Sequence, residues 1–226
     1  MMKLTDVFDK LTTLYYKPFS ELKHQEELSN FTINKGNTGQ FLQQLLDMPN
    51  TSNLTDFEDG ELKTNKADST GTPKETMFIT QISQDFDSLF FSEHLNNRLL
   101  QKISNLLYLP VCKTSPSPND WYFLPAYHID ARINPQLIEI YTQDYLSIKN
   151  QILYHLEHAN DRYIHTSSGK YIQIRSKDAK RANGQYNPIF SKHLNRYISD
   201  KNHAFYFKRD FMLDIQNGTL AAQRIL

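Results

Sequence analysis

Cysteine and long hydrophobic runs are both scarce in this chain of 226 residues. Because Cys112 is the single cysteine, no internal disulfide can form and no zinc site built from several cysteines is available. No apolar run approaches the ~18 residues of a membrane span, so we expect no membrane partner. The N-terminal MMKLTDVFDKLTTLYY lacks the pattern of a secretory signal, which favours a cytoplasmic location.

Net charge is also lacking, since 25 Lys and Arg balance 25 Asp and Glu. This balance argues against a passive nucleic-acid binder with a uniformly basic surface. The charges are unevenly distributed, with 13 basic against 19 acidic residues in 1–150 and 12 against 6 in 151–226. Such a distribution suits a protein that holds metal with one lobe and phosphates with the other, and it suits an ordinary solvated surface equally well.

The 39% hydrophobic content is sufficient for one globular α/β domain, with a possible hinge near residues 113–120. Apolar residues at helical spacing predict helices at 5–15, 39–48, 92–104 and 136–156, with a short one near 191–197. Strands are predicted at 60–64, 77–83, 106–112, 121–129, 170–176 and 203–209. We expect the first two of these strands to form a hairpin-like pair.

Two carboxylates and a lysine stand together in the segment TDFEDGELKT. Glu61 and Lys63 lie two apart on a predicted strand, so their side chains leave the same face, and Asp56 lies in the turn just before it. Carboxylate oxygens suit Mg²⁺, and a neighbouring ammonium can orient a water molecule. This combination of groups can hydrolyse a phosphodiester.

An acidic residue two positions before a lysine recurs twice, at Glu21/Lys23 and at Asp178/Lys180. Glu21 lies at a predicted helix start, where residues two apart do not share a face, and Asp178 lies in a polar stretch. Only the pair at 61 and 63 has strand geometry. From the residues alone, a solvated ion pair on a strand edge stays open as the alternative.

Several segments resemble the MutH family, which comprises a DNA mismatch-repair nickase and related type II restriction endonucleases. They occur in the family's order over roughly residues 30–215, and they are KGNTGQFLQQLL, DFEDGELKTNKADSTGTPKETMF, QKISNLLYLPV, KYIQIRSKDA and AFYFKRDF. The resemblance implies a restriction-endonuclease-like α/β core, a short mixed sheet flanked by helices, with two lobes around a cleft for duplex DNA. Residues 1–112 would form the catalytic lobe and residues 113–226 the DNA-reading lobe.

By position, the resemblance implies that Asp56 and Glu61 hold Mg²⁺ and that Lys63 is the catalytic lysine. Lys102 would be an auxiliary active-site lysine. Six further residues are implied to bind DNA. Lys35 and Gly36 would approach the DNA, and Arg175, Ser176 and Lys177 would form a loop that reads bases. Tyr206 would be an aromatic residue that checks the site, including adenine methylation. Since Tyr206 lies between two phenylalanines, a buried strand residue is the open alternative for it.

The chain departs from the family pattern at three places. The interval between Asp56 and Glu61 is two residues shorter than in the repair nickase. Gln43 stands where a glutamate near the metal is usual, which removes a charge. Ser176 replaces the usual proline of the reading loop. The catalytic assignment withstands these differences, whereas the recognition sequence becomes less defined.

The sequence therefore predicts a Mg²⁺-dependent type II restriction endonuclease that cuts duplex DNA at a short GATC-like site. It would act as a monomer or as a transient dimer on DNA, with a cognate DNA methyltransferase as its genetic partner. One alternative is a methyl-directed mismatch-repair nickase. Another is a catalytically silent DNA-binding module, which only Gln43 supports.

Overall fold

The computed structural model describes residues 2–26, 32–33, 37–49, 53–91, 97–178 and 180–226. The helices in these ranges, apart from 3-10 turns, are α1 (Phe8–Thr12), α2 (Phe19–Gln25), α3 (Thr38–Leu45), α4 (Phe86–Phe90), α5 (Asn97–Ile103), α6 (Pro135–His158) and α7 (Arg209–Gln216). The strands are β1 (Glu61–Ala67), β2 (Met77–Gln81), β3 (Asn105–Cys112), β4 (Tyr122–Phe123), β5 (Tyr127–Asp130), β6 (Ser167–Ser168), β7 (Ile172–Ser176), β8 (Ile189–Ser191), β9 (Arg196–Ser199), β10 (His203–Phe207) and β11 (Gln223–Arg224). No helix within these ranges is both long and apolar enough to cross a membrane.

The chain divides into two compact units, each built from separate pieces of sequence. Unit 1 comprises Met1–Met77, Gln101–Ile133 and Arg209–Leu226. Unit 2 comprises Phe78–Leu100 and Asn134–Lys208. The assignment of catalysis to residues 1–112 and of DNA reading to residues 113–226 stays a prediction.

Unit 1 is organised around strand β3, whose residues are all buried. Its sheet has the order β1-β3-β5-β11, with β4 also paired to β3; β1 is parallel to β3, and β4 and β5 are antiparallel to it. Phe19 of α2 and Phe41 of α3 pack over this sheet, with ring centroids 5.0 Å apart. Phe19 also contacts Phe123 of β4 at 4.7 Å. A short mixed sheet covered by helices confirms the predicted α/β class.

Unit 2 contains a second sheet, in the order β2-β10-β7-β6. The long helix α6 contacts β6 and β7 and is capped at its start by Asn134, whose Oδ1 accepts a hydrogen bond from the Leu137 amide. Its buried apolar positions confirm the predicted apolar face, of which Ile140 alone is half-buried: Leu137, Tyr141, Tyr145, Ile148, Ile152 and Leu156. Tyr141 packs on Phe207 of β10, with centroids 5.9 Å apart.

One polar side chain of α6 holds the turn between β6 and β7. The Asp144 carboxylate accepts from the backbone amides of Tyr171 and Ile172 at 2.7 and 2.8 Å, and also from the Lys170 amide. A Cβ at Gly169 would collide with this carboxylate, so glycine is required there. Because a buried carboxylate without partners is costly, the three donors explain how Asp144 is accommodated at 3% exposure.

The predicted hairpin of residues 60–64 and 77–83 is wrong. β1 pairs with β3, in the register Glu61 to Leu106, while β2 joins the sheet of unit 2 beside β10. The fully buried β3, which is mostly apolar, is best placed between neighbours on both sides, and this draws β1 away from its neighbour in sequence.

The predicted helix near 191–197 is also wrong, because these residues form the turn between β8 and β9. Asn195 adopts a left-handed conformation with φ 49, which interrupts a helix, and Asp87 accepts from the Ser191 hydroxyl and the Lys192 amide. The predicted strand 121–129 is interrupted around Pro125, which lacks a backbone donor. α7 and β11 were not predicted.

Candidate active site

Strand geometry brings Glu61 and Lys63 into direct contact at the start of β1. The Lys63 Nζ donates to Glu61 Oε1 at 2.6 Å. The Glu61 side chain is only 2% exposed, whereas that of Lys63 is 15% exposed. The two residues share one face of the strand, and Leu62 between them joins the core of unit 1, as the sequence predicts.

A second lysine reaches the same carboxylate from α5. Lys102 Nζ lies 3.0 Å from Glu61 Oε1 and 3.1 Å from Oε2. One buried negative charge is therefore contacted by two ammonium groups. Since Lys102 is 41 positions from Glu61 in sequence, only the family resemblance pointed to it.

Asp56 is attached to the same strand through the backbone. Its Oδ2 accepts from the Leu62 amide at 3.0 Å, and its Oδ1 accepts from Gln43 Nε2 of α3 at 2.8 Å. The structure thus brings Asp56, Glu61, Lys63 and Lys102 together around the start of β1. Gln43 contacts this group directly.

The turn before Glu61 fits closely against β3. A Cβ at Gly60 would lie 2.7 Å from the Asn105 carbonyl oxygen, closer than real Cβ atoms approach. Asn105 Nδ2 donates to the Asp59 carbonyl at 2.7 Å, so its Oδ1 must accept from His128 Nε2 at 2.8 Å. These positioning residues were missed, because nothing in the sequence pairs β3 with both β1 and β5.

Asn65 continues the face of β1 that carries Glu61 and Lys63. Its side chain is 4% exposed, and its Nδ2 donates to the Glu75 carbonyl at 3.3 Å. Its Oδ1 is buried without a hydrogen-bond partner among the described residues. An unsatisfied acceptor in line with the lysine and the carboxylate is unusual for a purely structural position.

The donor set suits a Mg²⁺ ion held by few protein ligands. Within the described residues no group of three or more His, Cys, Asp or Glu is arranged to hold a metal. Mg²⁺ commonly binds through one or two carboxylates and keeps several waters or substrate phosphate oxygens as its other ligands. Asp56 and Glu61 provide two such carboxylates. Glu61 Oε1 accepts from both lysines, whereas Glu61 Oε2 and each Asp56 oxygen engage one donor and have a second lone pair for a metal.

The residues predicted to read DNA form a cluster in unit 2. The Arg175 guanidinium lies 4.4 Å from the centroid of the Tyr206 ring, and Lys177 Nζ lies 3.1 Å from that of Phe78. Phe78 and Tyr206 meet edge to face at 5.7 Å. Arg175 and Ser176 are exposed. Lys35 and Gly36 lie outside the described residues, and all these roles stay predictions.

Tyr206 is 7% exposed, so it is a buried strand residue capped by an arginine. Burial raises the pKa of its phenol, and the adjacent Arg175 opposes that rise. Its ring contacts Phe78 and Arg175, whereas Phe205 stacks on Phe90. Tyr206 and Phe205 therefore lie on opposite faces of β10, as strand alternation predicts. Tyr206 is nevertheless more buried than an exposed face would imply.

The two other acid–lysine matches have different surroundings. Glu21 is exposed on α2 and accepts from Gln25 Nε2, one helical turn along. The Asp178 carboxylate accepts from the Asn187 and Asn202 amides at 2.6 and 3.1 Å and thereby joins two loops.

No protein-family model and no curated protein matches this chain. Among solved structures, it is similar to the "Restriction endonuclease MvaI-cognate DNA substrate complex", with a TM-score of 0.39 and 12% sequence identity. The match covers 91% of this chain and 98% of that chain. The likeness to the MutH family stays a prediction from the motifs, and the functional conclusion rests on the side chains around Glu61.

Proposed function

We propose that this protein is a Mg²⁺-dependent endonuclease with a restriction-endonuclease-like core that hydrolyses the backbone of duplex DNA at a short, GATC-like sequence. The observation that carries the proposal is the buried Glu61 carboxylate, contacted by Lys63 and Lys102, with the Asp56 carboxylate bonded to the backbone amide of the next residue, Leu62. A type II restriction enzyme is the leading form of this activity.

A structural ion cluster explains this arrangement less well. Burying charged groups is costly, and apolar side chains of similar volume often stabilise a protein as well as a buried ion pair does. Here two lysines contact one carboxylate, and a second carboxylate, that of Asp56, is bonded to the next residue of the strand, so four charged groups gather where a structural ion pair would need two. Lysines that are 15% and 16% exposed remain within reach of a phosphate at the surface.

Asp56 and Glu61 would hold the Mg²⁺ ion, which when bound lowers the pKa of a coordinated water and stabilises charge on the phosphate. Lys63 would orient the attacking water by donating a hydrogen bond to its oxygen, while the water gives its proton to solvent and the leaving oxygen takes one from solvent. Lys102 would neutralise the charge that develops on the phosphate oxygens. The new bond joins the water oxygen to phosphorus, and the bond from phosphorus to the leaving deoxyribose oxygen breaks.

The test is cleavage of supercoiled plasmid DNA with Mg²⁺, comparing wild type with Lys63→Ala. We expect the variant to lose at least about 100-fold in rate while still binding DNA, because the lysine acts on the transition state. Lys23→Ala is the matched control, since Lys23 also follows an acidic residue by two positions but lies on α2. Cleavage by Lys63→Ala at the wild-type rate would remove the assignment.

The same assay separates the other readings when the plasmid is unmethylated, hemimethylated or fully adenine-methylated. Linear products with one end sequence identify a restriction enzyme and its site, for which a cognate methyltransferase is the expected genetic partner. Nicks confined to unmethylated strands identify a repair nickase. Gln43 contacts Asp56 at a position where a glutamate would add a negative charge, and this favours a catalytically silent binding module. DNA binding without any cleavage would establish that function.

A further inference from the structure

A polar cavity of about 650 Å³ lies within unit 2, where β2 and β7 end and β10 begins. Its lining includes Gln81 and Asn202 in addition to Ser176 and Lys177. Backbone hydrogen bonds join the three strand ends, from Ile82 to the His203 carbonyl at 3.1 Å and from Lys177 to the Asn202 carbonyl at 2.8 Å. Gln81 and Asn202 belong to no motif of the sequence.

The direction of the hydrogen bonds fixes which way the Gln81 amide faces. The His203 backbone amide can only donate, and it donates to Asn202 Oδ1 at 2.8 Å. Asn202 therefore presents its Nδ2, which donates to Gln81 Oε1 at 2.9 Å. With its oxygen engaged, Gln81 offers the two hydrogens of Nε2 to a ligand.

The acidic residue of the cavity strengthens this polarity. Asp178 Oδ2 accepts from the backbone amides of Asn187 and Asn202, and its Oδ1 accepts from Asn187 Nδ2 at 3.0 Å. These bonds direct the carboxylate at the walls of the cavity. Gln81 therefore stands beside a lysine and a serine as a donor, and the lining favours a ligand rich in acceptors.

We propose that Gln81 is a specificity-determining residue that donates a hydrogen bond to the major-groove edge of a guanine. This rests on the proposed function in taking duplex DNA as the ligand. Guanine presents two acceptors there, N7 and O6, whereas adenine presents one acceptor and one donor. A glutamine reads adenine by donating and accepting together, whereas here the bond from Asn202 occupies one lone pair of the Gln81 oxygen and orients that oxygen toward Asn202.

The test is a binding selection from a pool of randomised duplexes, with Ca²⁺ in place of Mg²⁺ to limit cleavage, followed by sequencing of bound DNA. Wild type is compared with Gln81→Ala and Gln81→Glu. Gln143→Ala is the control, since Gln143 is exposed on α6 and does not line the cavity. The preference at each position is normalised, so that a uniform change in affinity does not alter it.

We expect Gln81→Ala to lose about 5- to 150-fold of the guanine preference at one position of the site and to keep the others. Gln81→Glu, which presents an acceptor, should shift that position toward cytosine or adenine. The Gln143→Ala profile should match wild type. The inference is overturned if wild type selects no sequence, if Gln81→Ala keeps the wild-type profile, or if it only weakens binding uniformly, as loss of a phosphate contact would.

Failure of the proposed function gives a different result. Selected duplexes are then incubated with wild type and Mg²⁺. Sequences that are bound with the guanine preference but never cut would remove the endonuclease and leave the reading role of Gln81 intact. Cleavage of the selected duplexes, together with a Gln81→Ala base preference identical to that of wild type, would keep the endonuclease and remove the reading role of Gln81.

Discussion

At the scale of single residues, Gln43 donates a hydrogen bond to the Asp56 carboxylate, whereas a glutamate at this position would add a second carboxylate. Its amide donates to Asp56 at 2.8 Å, and a glutamate in its place would set two negative charges in contact. We expect Gln43→Glu to lower the midpoint of thermal unfolding in EDTA. Its midpoint should also rise more on adding Mg²⁺ than that of wild type, because an added carboxylate strengthens binding to the folded state.

The control for this change is Gln44→Glu, one position along α3, where the side chain is exposed. It adds the same charge to the same helix without touching Asp56. Equal responses of the two variants to Mg²⁺ would contradict the placement of a metal beside Asp56.

His203 is a titratable residue that is 3% exposed at the start of β10. Burial lowers its pKa, opposed by the hydrogen bond that Nδ1 donates to the Lys201 carbonyl. In the unfolded chain the imidazole takes up a proton as pH falls below about 6.5, while the folded form resists protonation. The free energy of unfolding therefore decreases as the pH is lowered below about 6.5, and this loss does not occur above that pH.

We expect the unfolding midpoint of wild type to drop between about pH 7.5 and pH 5.5, and His203→Gln to reduce that drop. His155, whose pKa is also lowered, mainly by burial, should supply part of the remainder. His24→Gln on the exposed side of α2 is the control. An unchanged pH dependence in His203→Gln would show that another group is responsible.

At the scale of elements, the turn into β1 determines where Glu61 stands. A methyl group at Gly60 would meet the Asn105 backbone oxygen, which the buried strand β3 holds in place. We expect Gly60→Ala to destabilise the fold by ~1–3 kcal/mol and to lower the cleavage rate, because the strand must shift. Chemical unfolding and plasmid cleavage measure the two effects.

Gly39→Ala is the matched control, since its added methyl group would meet only Thr64 Oγ1 at 3.9 Å. Replacing glycine by alanine inside α3 should stabilise the protein by ~0.5–1 kcal/mol. Equal destabilisation by the two alanines would mean that the close approach at Gly60 is not the cause.

The elements that the sequence predicted correctly are those whose signal lies within one segment. The apolar spacing of α6 and the uninterrupted apolar run of β3 belong to the segments themselves. Strand pairing was missed where partners lie far apart, as in β1 with β3. The turn after Ser191 was misread because Asp87, more than 100 positions away, holds it.

In the candidate site, too, contacts within one segment could be predicted from the sequence and contacts between distant segments could not. The contact between Glu61 and Lys63 follows from strand alternation alone. The contact of Lys102 depends on how α5 meets β1, so the resemblance supplied it and local pattern did not. Asn105 and His128 act through hydrogen bonds across three strands, and no spacing in the chain signals them.

At the scale of the whole molecule, the two compact units differ less in net charge than the front and rear parts of the sequence do. Unit 1 carries 13 basic and 16 acidic residues, and unit 2 carries 12 and 9. The rear half looked strongly basic partly because acidic residues of unit 2 lie earlier in the chain. DNA binding by either unit would therefore depend on local clusters such as Arg175 with Lys177 more than on a general field.

Unit 1 includes the last segment of the chain, Arg209–Leu226. Phe211, Met212 and Ile215 of α7 are buried, and Ile225 belongs to the core cluster that contains Phe41 and Phe123. We expect a chain ending at Lys208 to lose the cooperative unfolding of unit 1, measured by circular dichroism on heating. Deleting Leu226 alone, which is 80% exposed, should leave the midpoint unchanged.

The interleaving of the two units has a consequence for synthesis in the cell. A ribosome makes Asp56, Glu61, Lys63 and Lys102 before the main segment of unit 2, yet the core that supports those residues is completed by Arg209–Leu226, which is made after it. A growing chain thus has all of its proposed cutting residues well before it has the scaffold to align them. The proposed cutting of DNA would therefore begin only after residues 209–226 have been made and have packed into unit 1.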